Sequence, residues 1–138
     1  MSETVALDVE LNSPIERVWQ ALTDPATLSK WMMFETKDFR PVVGHKFQFR
    51  MEPDPSWSIV VDCEVLVVDE PRRLSYTWVV EAQAHTTTVT WTLEESESGG
   101  TRLHMEQSGF RSEAKQEIGG AKASWTKMLQ QLEALLAS

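Results

Sequence analysis

The amino-acid sequence predicts an α+β fold in which a curved antiparallel sheet wraps around a long carboxyl-terminal helix, with two short helices after the first strand. Apolar and polar residues alternate at period two through most of the chain, which marks strands with one dry and one wet face. From Ile118 onward the apolar spacing changes to three and four, which marks an amphipathic helix. Between the first alternating segment and the others, "SPIERVWQALTDPATLSKWM" carries helix-start signals at two places.

The first strand is "TVALDVEL", with Val5, Leu7, Val9 and Leu11 on one face and Ala6, Asp8 and Glu10 on the other. Ser13, Pro14 and Glu16 then read as a capping box: an N-cap hydroxyl, a proline at the first helical position and an acid at the third. Asp24-Pro25 interrupts the helix and starts a second one, because proline cannot extend the helix before it. Each short helix carries an apolar stripe, Ile15, Val18, Trp19 and Leu22 in the first, Leu28, Trp31 and Met32 in the second. "ETKDF" suits a short strand and "PVVG" a turn. "KFQFRM" sets Phe47, Phe49 and Met51 inward, and the two prolines of "EPDPSW" end that pattern. "SIVVDCEVLVVD" is a long strand with Val61, Cys63 and Val65 dry and Asp62 and Glu64 wet. After the turn "DEPR", "RLSYTWVVE" aligns Leu74, Tyr76, Trp78 and Val80, and "TTTVTWTLEE" aligns Val89, Trp91 and Leu93. The hairpin "SESGG" leads into "TRLHMEQSGF", with Leu103 and Met105 inward.

The closing helix presents Ile118, Ala121, Trp125, Met128, Leu132 and Leu135, widened by Leu129 and Leu136. So wide a stripe must lie on something apolar, and the dry face of the sheet is the available partner. Gly119 and Gly120 precede its strongest part. Either the helix starts after them, with "SEAKQEI" as a separate turn, or they form a hinge within it.

The chain suits one domain over residues 1–138, because 138 residues with 41% hydrophobic content can bury a core with room for a pocket. A formal charge of −8 disfavours nucleic-acid backbones and anionic membrane surfaces as partners. The single cysteine cannot form an internal disulfide, and no Cys/His cluster suggests zinc. "MSETVALDVEL" lacks the features of a signal peptide, and no apolar run approaches a membrane span. The expectation is a cytoplasmic protein without membrane insertion and without a cofactor.

A bent sheet around a helix leaves one end open, and the two short helices are expected to form the lid of that cup. Trp19 and Trp31 are then candidates for its inner wall. Phe49, Met51, Tyr76, Trp78 and Met32 would add a soft, polarisable surface for a flat or aliphatic ligand. Phe34, Val61, Cys63, Trp91, Met105, Trp125 and Met128 complete the expected cavity set. Acid–base chemistry has little support in the pattern. His45, His85 and His104 lie on separate strands or turns without a closely spaced acid and read as solvated. Cys63 reads as inert packing, since a nucleophile needs a partner base and a lowered pKa. No phosphate loop or dinucleotide fingerprint is present.

Five segments together carry a resemblance over nearly the whole chain. They are "SPIERVWQALTDPATLSKWM", "RPVVGHKFQF", "EPRRLSYTW", "GGTRLHMEQSGF" and "SWTKMLQQLEALL". In this order the chain resembles the START-like, birch-pollen-allergen superfamily of SRPBCC type, which has a helix-grip fold. Within it, the chain resembles the family of heat-shock chaperone ATPase activator homologues. The second glycine usual in the family's turn is His45 here, and Met32 stands where many members have a second aromatic. Both departures bear on the mouth of the hollow. The resemblance implies a cavity between sheet and helix, and hence non-catalytic binding of a small hydrophobic molecule, lipid-like or aromatic. It also implies two alternatives. One is a protein-interaction module, with a protein partner or a homodimer, although the activator's separate chaperone-contact domain has no counterpart in these residues. The other is a cyclase- or aromatase-like enzyme, for which Tyr76 is the inner proton donor.

Overall fold

The computed structural model describes residues 2–32, 34–36, 38–80 and 85–137. Its order is β1 (Ser2–Leu11), α1 (Ile15–Thr23), α2 (Pro25–Trp31), β2 (Lys46–Asp54), β3 (Trp57–Asp69), β4 (Arg73–Val80), β5 (Thr86–Glu95), β6 (Thr101–Arg111) and α3 (Lys115–Ala137). The strands form one six-stranded sheet in the order β1-β6-β5-β4-β3-β2, with every pairing antiparallel. Consecutive hairpins build β2 to β6, and the first strand closes the sheet against the last. This is the helix-grip α+β architecture.

Period-two patterning sets the register, with shifts only between Glu3 and Thr4, Met51 and Asp54, and Val65 and Val67. Leu103, Met105, Trp91, Leu93, Tyr76 and Phe49 are all buried on one face, and α3 covers that face through Trp125, Met128, Leu129, Leu132 and Leu136. A tryptophan chain ties the layers together. Trp31 of α2 meets Trp91 edge-on at 5.8 Å, Trp91 meets Trp125 of α3 at 5.6 Å, and Trp125 meets Trp78 at 5.2 Å. Aromatic pairs at these distances favour edge-to-face or tilted geometry over a flat sandwich, because the ring face is negative and the ring edge positive.

Local structure departs from the sequence expectation at four places. Pro14, in extended conformation, is the N-cap of α1, and no side chain caps that helix. The Ser13 hydroxyl instead donates to the Leu136 carbonyl of α3 at 3.4 Å, while the Ser13 carbonyl accepts from Thr101 Oγ1 at 2.8 Å. A long-range anchor has displaced the local cap. "ETKDF" forms no strand among its described residues; Glu35 makes a single bridge to Arg50, and Lys37 lies outside the described residues. The sheet pattern does not stop at Glu52-Pro53, since β2 runs to Asp54; β2 is an edge strand, where a missing N–H can be tolerated. Finally, α3 begins at Lys115, so Gly119 and Gly120 lie inside it and "SEAKQEI" is not a separate turn throughout. Glu81, the last residue of the "RLSYTWVVE" segment, lies outside the described residues.

The second short helix starts as its sequence predicts. Asp24 accepts from the Thr27 backbone N–H at 3.1 Å and from its hydroxyl at 2.6 Å, with Pro25 at the first turn. In "PVVG", Gly44 has a φ of +88° and its N–H donates to the Val65 carbonyl, which binds the turn to β3. Among the described residues no helix is long and apolar enough to cross a membrane.

Candidate functional site

The sheet and the amino-terminal half of α3 do not meet completely. Between them lies a partly enclosed cavity of about 220 Å³. It has this location because the first turns of α3 carry small or polar residues on the sheet side. Ala121 and Ser124 are half-buried and Gly120 is exposed, and the large buried side chains of the helix begin only at Trp125. The apolar wall includes Phe34, Met51, Ile59, Trp78, Val80 and Phe110, with Met128 and Trp125 from the helix.

One side of the cavity is polar and ordered. Gln107 of β6 has the same parity as Leu103 and Met105 and is 3% exposed. Its Oε1 accepts from the Trp125 indole N–H at 2.7 Å, and its amide N–H donates to Thr87 Oγ1 at 2.8 Å. Thr87 Oγ1 in turn donates to the Trp78 carbonyl at 3.1 Å. The indole can only donate and the carbonyl can only accept, so the amide orientation and the direction of the chain are both fixed. Beside it, His85 Nε2 donates to the Gly109 carbonyl at 2.8 Å. Ser124 and Glu117, both on α3, complete the polar side.

Of the residues expected to form the wall, Phe34, Met51, Trp78, Trp125 and Met128 line this cavity together. Trp19, Trp31, Phe49, Val61, Tyr76, Trp91 and Met105 do not line it; they are buried in the core beside it. The short helices therefore plug the hollow with their side chains instead of walling a cavity, and Trp31 donates its indole N–H to the Ala21 carbonyl at 2.9 Å. Met32 is buried and borders a surface cleft with Glu35 and Arg50. Cys63 is buried, borders a polar cleft on another part of the surface, and burial followed by the nearby Asp62 charge pushes its thiol pKa up. That opposes thiolate formation.

The Tyr76 hydroxyl does not line the cavity and, among the described residues, donates to no backbone carbonyl. It accepts from the Trp91 indole N–H at 3.0 Å, and burial drives its pKa upward. The histidines also differ from the solvated reading. His45 Nε2 donates to the Asp38 carbonyl, and His85 belongs to the cavity. His104 bridges Asp8 at 2.7 Å and Glu106 at 2.9 Å, which raises its pKa through hydrogen bonds first to Glu106 and then to Asp8. Besides Ile59, Val80, Phe110 and the α3 residues Glu117, Gly120, Ala121 and Ser124, the cavity residues that sequence reasoning missed include the polar strand-side groups Gln107, Thr87 and His85. Their signal is parity: each lies in phase with apolar inward residues of its segment, where a polar side chain needs an explanation. No group of three or more His, Cys, Asp or Glu side chains suited to a metal ion is found among the described residues.

A curved sheet gripping one long helix over a cavity defines the class: this is a START-like helix-grip domain. Residues 12–137 match the model of the Activator of Hsp90 ATPase homolog 1-like proteins, and the chain belongs to that family. It is similar to protein MLL2253 from Mesorhizobium loti, at 40% identity over 98% of this chain and 97% of that one, with a TM-score of 0.85. Protein CV1439 from Chromobacterium violaceum shares the fold at 24% identity, covering 98% of both chains with a TM-score of 0.85. CalU16 from Micromonospora echinospora shares it at 24% identity over 98% of this chain and 76% of that one, with a TM-score of 0.77. No curated protein matches the chain.

Proposed function

We propose that this protein binds a small hydrophobic molecule, without chemical conversion, in the cavity between the sheet and the amino-terminal half of α3. The observation that carries the reading is the cavity itself, an apolar and aromatic hollow with one ordered polar side. Apolar walls with a few fixed polar groups are the usual makeup of small-molecule sites. The volume sets a scale for the ligand. A dry cavity of about 150 Å³ is enough for benzene, so about 220 Å³ suits a molecule of one or two rings.

Trp78 and Trp125 line the cavity, so occupancy should alter intrinsic fluorescence. Native mass spectrometry of protein purified from cells, followed by fluorescence titration with a panel of one- and two-ring compounds, tests the reading. A bound small mass or a saturable fluorescence change is the expected result. A protein that arrives empty and ignores the panel would overturn it. The family's description raises the activator reading as an alternative. Stimulation of a chaperone ATPase by the purified chain, weakened by salt as an acidic surface would require, would put that function first.

A further inference from the structure

We propose that the cavity selects a neutral ring compound carrying a hydrogen-bond acceptor, with Gln107 and Ser124 as the groups that read it. The inference rests on the binding function proposed above and narrows its ligand class. Gln107 has two amide N–H donors. One is committed to Thr87, its carbonyl oxygen is committed to Trp125, and neither partner can exchange roles. This leaves one N–H for the cavity that Gln107 lines, on a side chain already held in place and therefore costing little entropy to engage. Ser124 lines the same cavity one residue before Trp125, and its hydroxyl makes no hydrogen bond to another described residue. His85 Nε2 and the Thr87 hydroxyl hydrogen are already committed to carbonyls.

The charge pattern decides against an anionic ligand. No lysine or arginine lines the cavity among the described residues, and the one carboxylate there, Glu117, would repel an anion. A carboxylate brought into such a site would lose its hydration without gaining a cation, which is strongly unfavourable. A ketone, ester or similar neutral acceptor instead exchanges a weak partner in water for fixed donors. A neutral hydrogen bond of this kind corresponds to a factor of about three to ten in affinity.

Calorimetric titration with three matched probes tests the assignment: tetralin, which has no acceptor; 1-tetralone, its ketone; and 1-naphthoate, an anion. The wild-type chain should bind 1-tetralone about three- to tenfold more tightly than tetralin, and 1-naphthoate most weakly. In Ser124→Ala the ketone's advantage over tetralin should shrink. It should shrink also in Gln107→Glu, which keeps an oxygen for the Trp125 indole N–H but has no amide N–H to offer. The ratio is taken between probes within one variant, so partial destabilisation cancels; if that variant does not fold, Ser124→Ala decides alone. Equal binding of tetralin and 1-tetralone, preference for 1-naphthoate, or an unchanged ratio in the variants would overturn this inference while leaving hydrophobic binding intact. Binding of none of the three would overturn both.

Discussion

At the residue scale, Tyr76 with Trp91, and Gln107 with Trp125 and Thr87, are buried polar groups matched by hydrogen bonds, and removing one member should cost more than the bond itself contributes. Tyr76 and Trp91 lie fully inside, and the tyrosine oxygen accepts the indole N–H. Tyr76→Phe preserves the ring but strands that donor, at a cost of about 1–3 kcal/mol. Urea unfolding should show the loss, while affinity for a cavity probe stays unchanged because Tyr76 does not line the cavity. Loss of binding with full stability would instead place Tyr76 in the site. His104 carries a pH prediction. Its folded pKa is raised by Glu106 and Asp8, so its bridge adds stability below the unfolded histidine value of about 6.5, and that contribution disappears as pH rises through the higher folded value. It also fades in acid, once the carboxylates protonate. His104→Asn should therefore lower stability at pH 5.5 and have little effect at pH 9. The pair is partly exposed, with 34% of the histidine side chain accessible, so the difference should stay below about 1 kcal/mol and shrink in high salt.

At the scale of elements, two glycine positions make opposite predictions. Gly100 is buried where the last hairpin passes the end of β1, and a Cβ there would collide with the Leu11 carbonyl oxygen, which is backbone and cannot swing aside. Gly100→Ala should destabilise by about 1–3 kcal/mol, as overpacking does. Gly119 and Gly120 both lie within α3, and a methyl added at either would enter open space, with nothing within 4 Å. Replacing both with alanine should stabilise the helix by roughly 1–2 kcal/mol in total. If the pair also lets the roof of the cavity move, stopped-flow binding in the double variant will be slower; unchanged rates would leave the glycines without a gating role. These elements also show what the sequence could and could not convey. Period two located the strands because it is a local pattern, and Asp24-Pro25 marked α2 because its cap is made within three residues. Ser13 misled because its hydroxyl serves Leu136, 123 positions away. The Asp8 half of the His104 bridge was hidden for the same reason, since Asp8 faces it only through the β1–β6 register, whereas Glu106, two residues along the same strand, is a local partner that sequence reasoning missed. The start of α3 was ambiguous because helix propensity falls at paired glycines, whereas the Ile118 N–H bond to the Ala114 carbonyl already closes the first turn ahead of them and the helix runs on past both. Gln107 was legible in principle, since its parity alone put it inward.

At the scale of the whole molecule, the division of labour along α3 links stability to binding. Its carboxyl-terminal half supplies Leu129, Leu132 and Leu136 to the core and is pinned by Ser13, whereas its amino-terminal half roofs the cavity with smaller side chains. The tryptophan chain joining Trp31, Trp91, Trp125 and Trp78 lies between these regions, so the cavity can be filled without dismantling the main core. Ala121 offers the means to test this, being half-buried and on the cavity wall. Ala121→Trp should occupy the hollow with an indole and leave the sheet and the rest of α3 in place. A ligand bound only by the folded state stabilises it by about 2.7 kcal/mol at 100 times its Kd, which for a chain of 138 residues corresponds to a rise in Tm of about 10 °C. Wild-type protein saturated with 1-tetralone should show that rise, and Ala121→Trp, folded and cooperative by circular dichroism, should show none. A full shift in the filled variant would mean that the ligand binds elsewhere, and would remove the cavity from the function proposed for it.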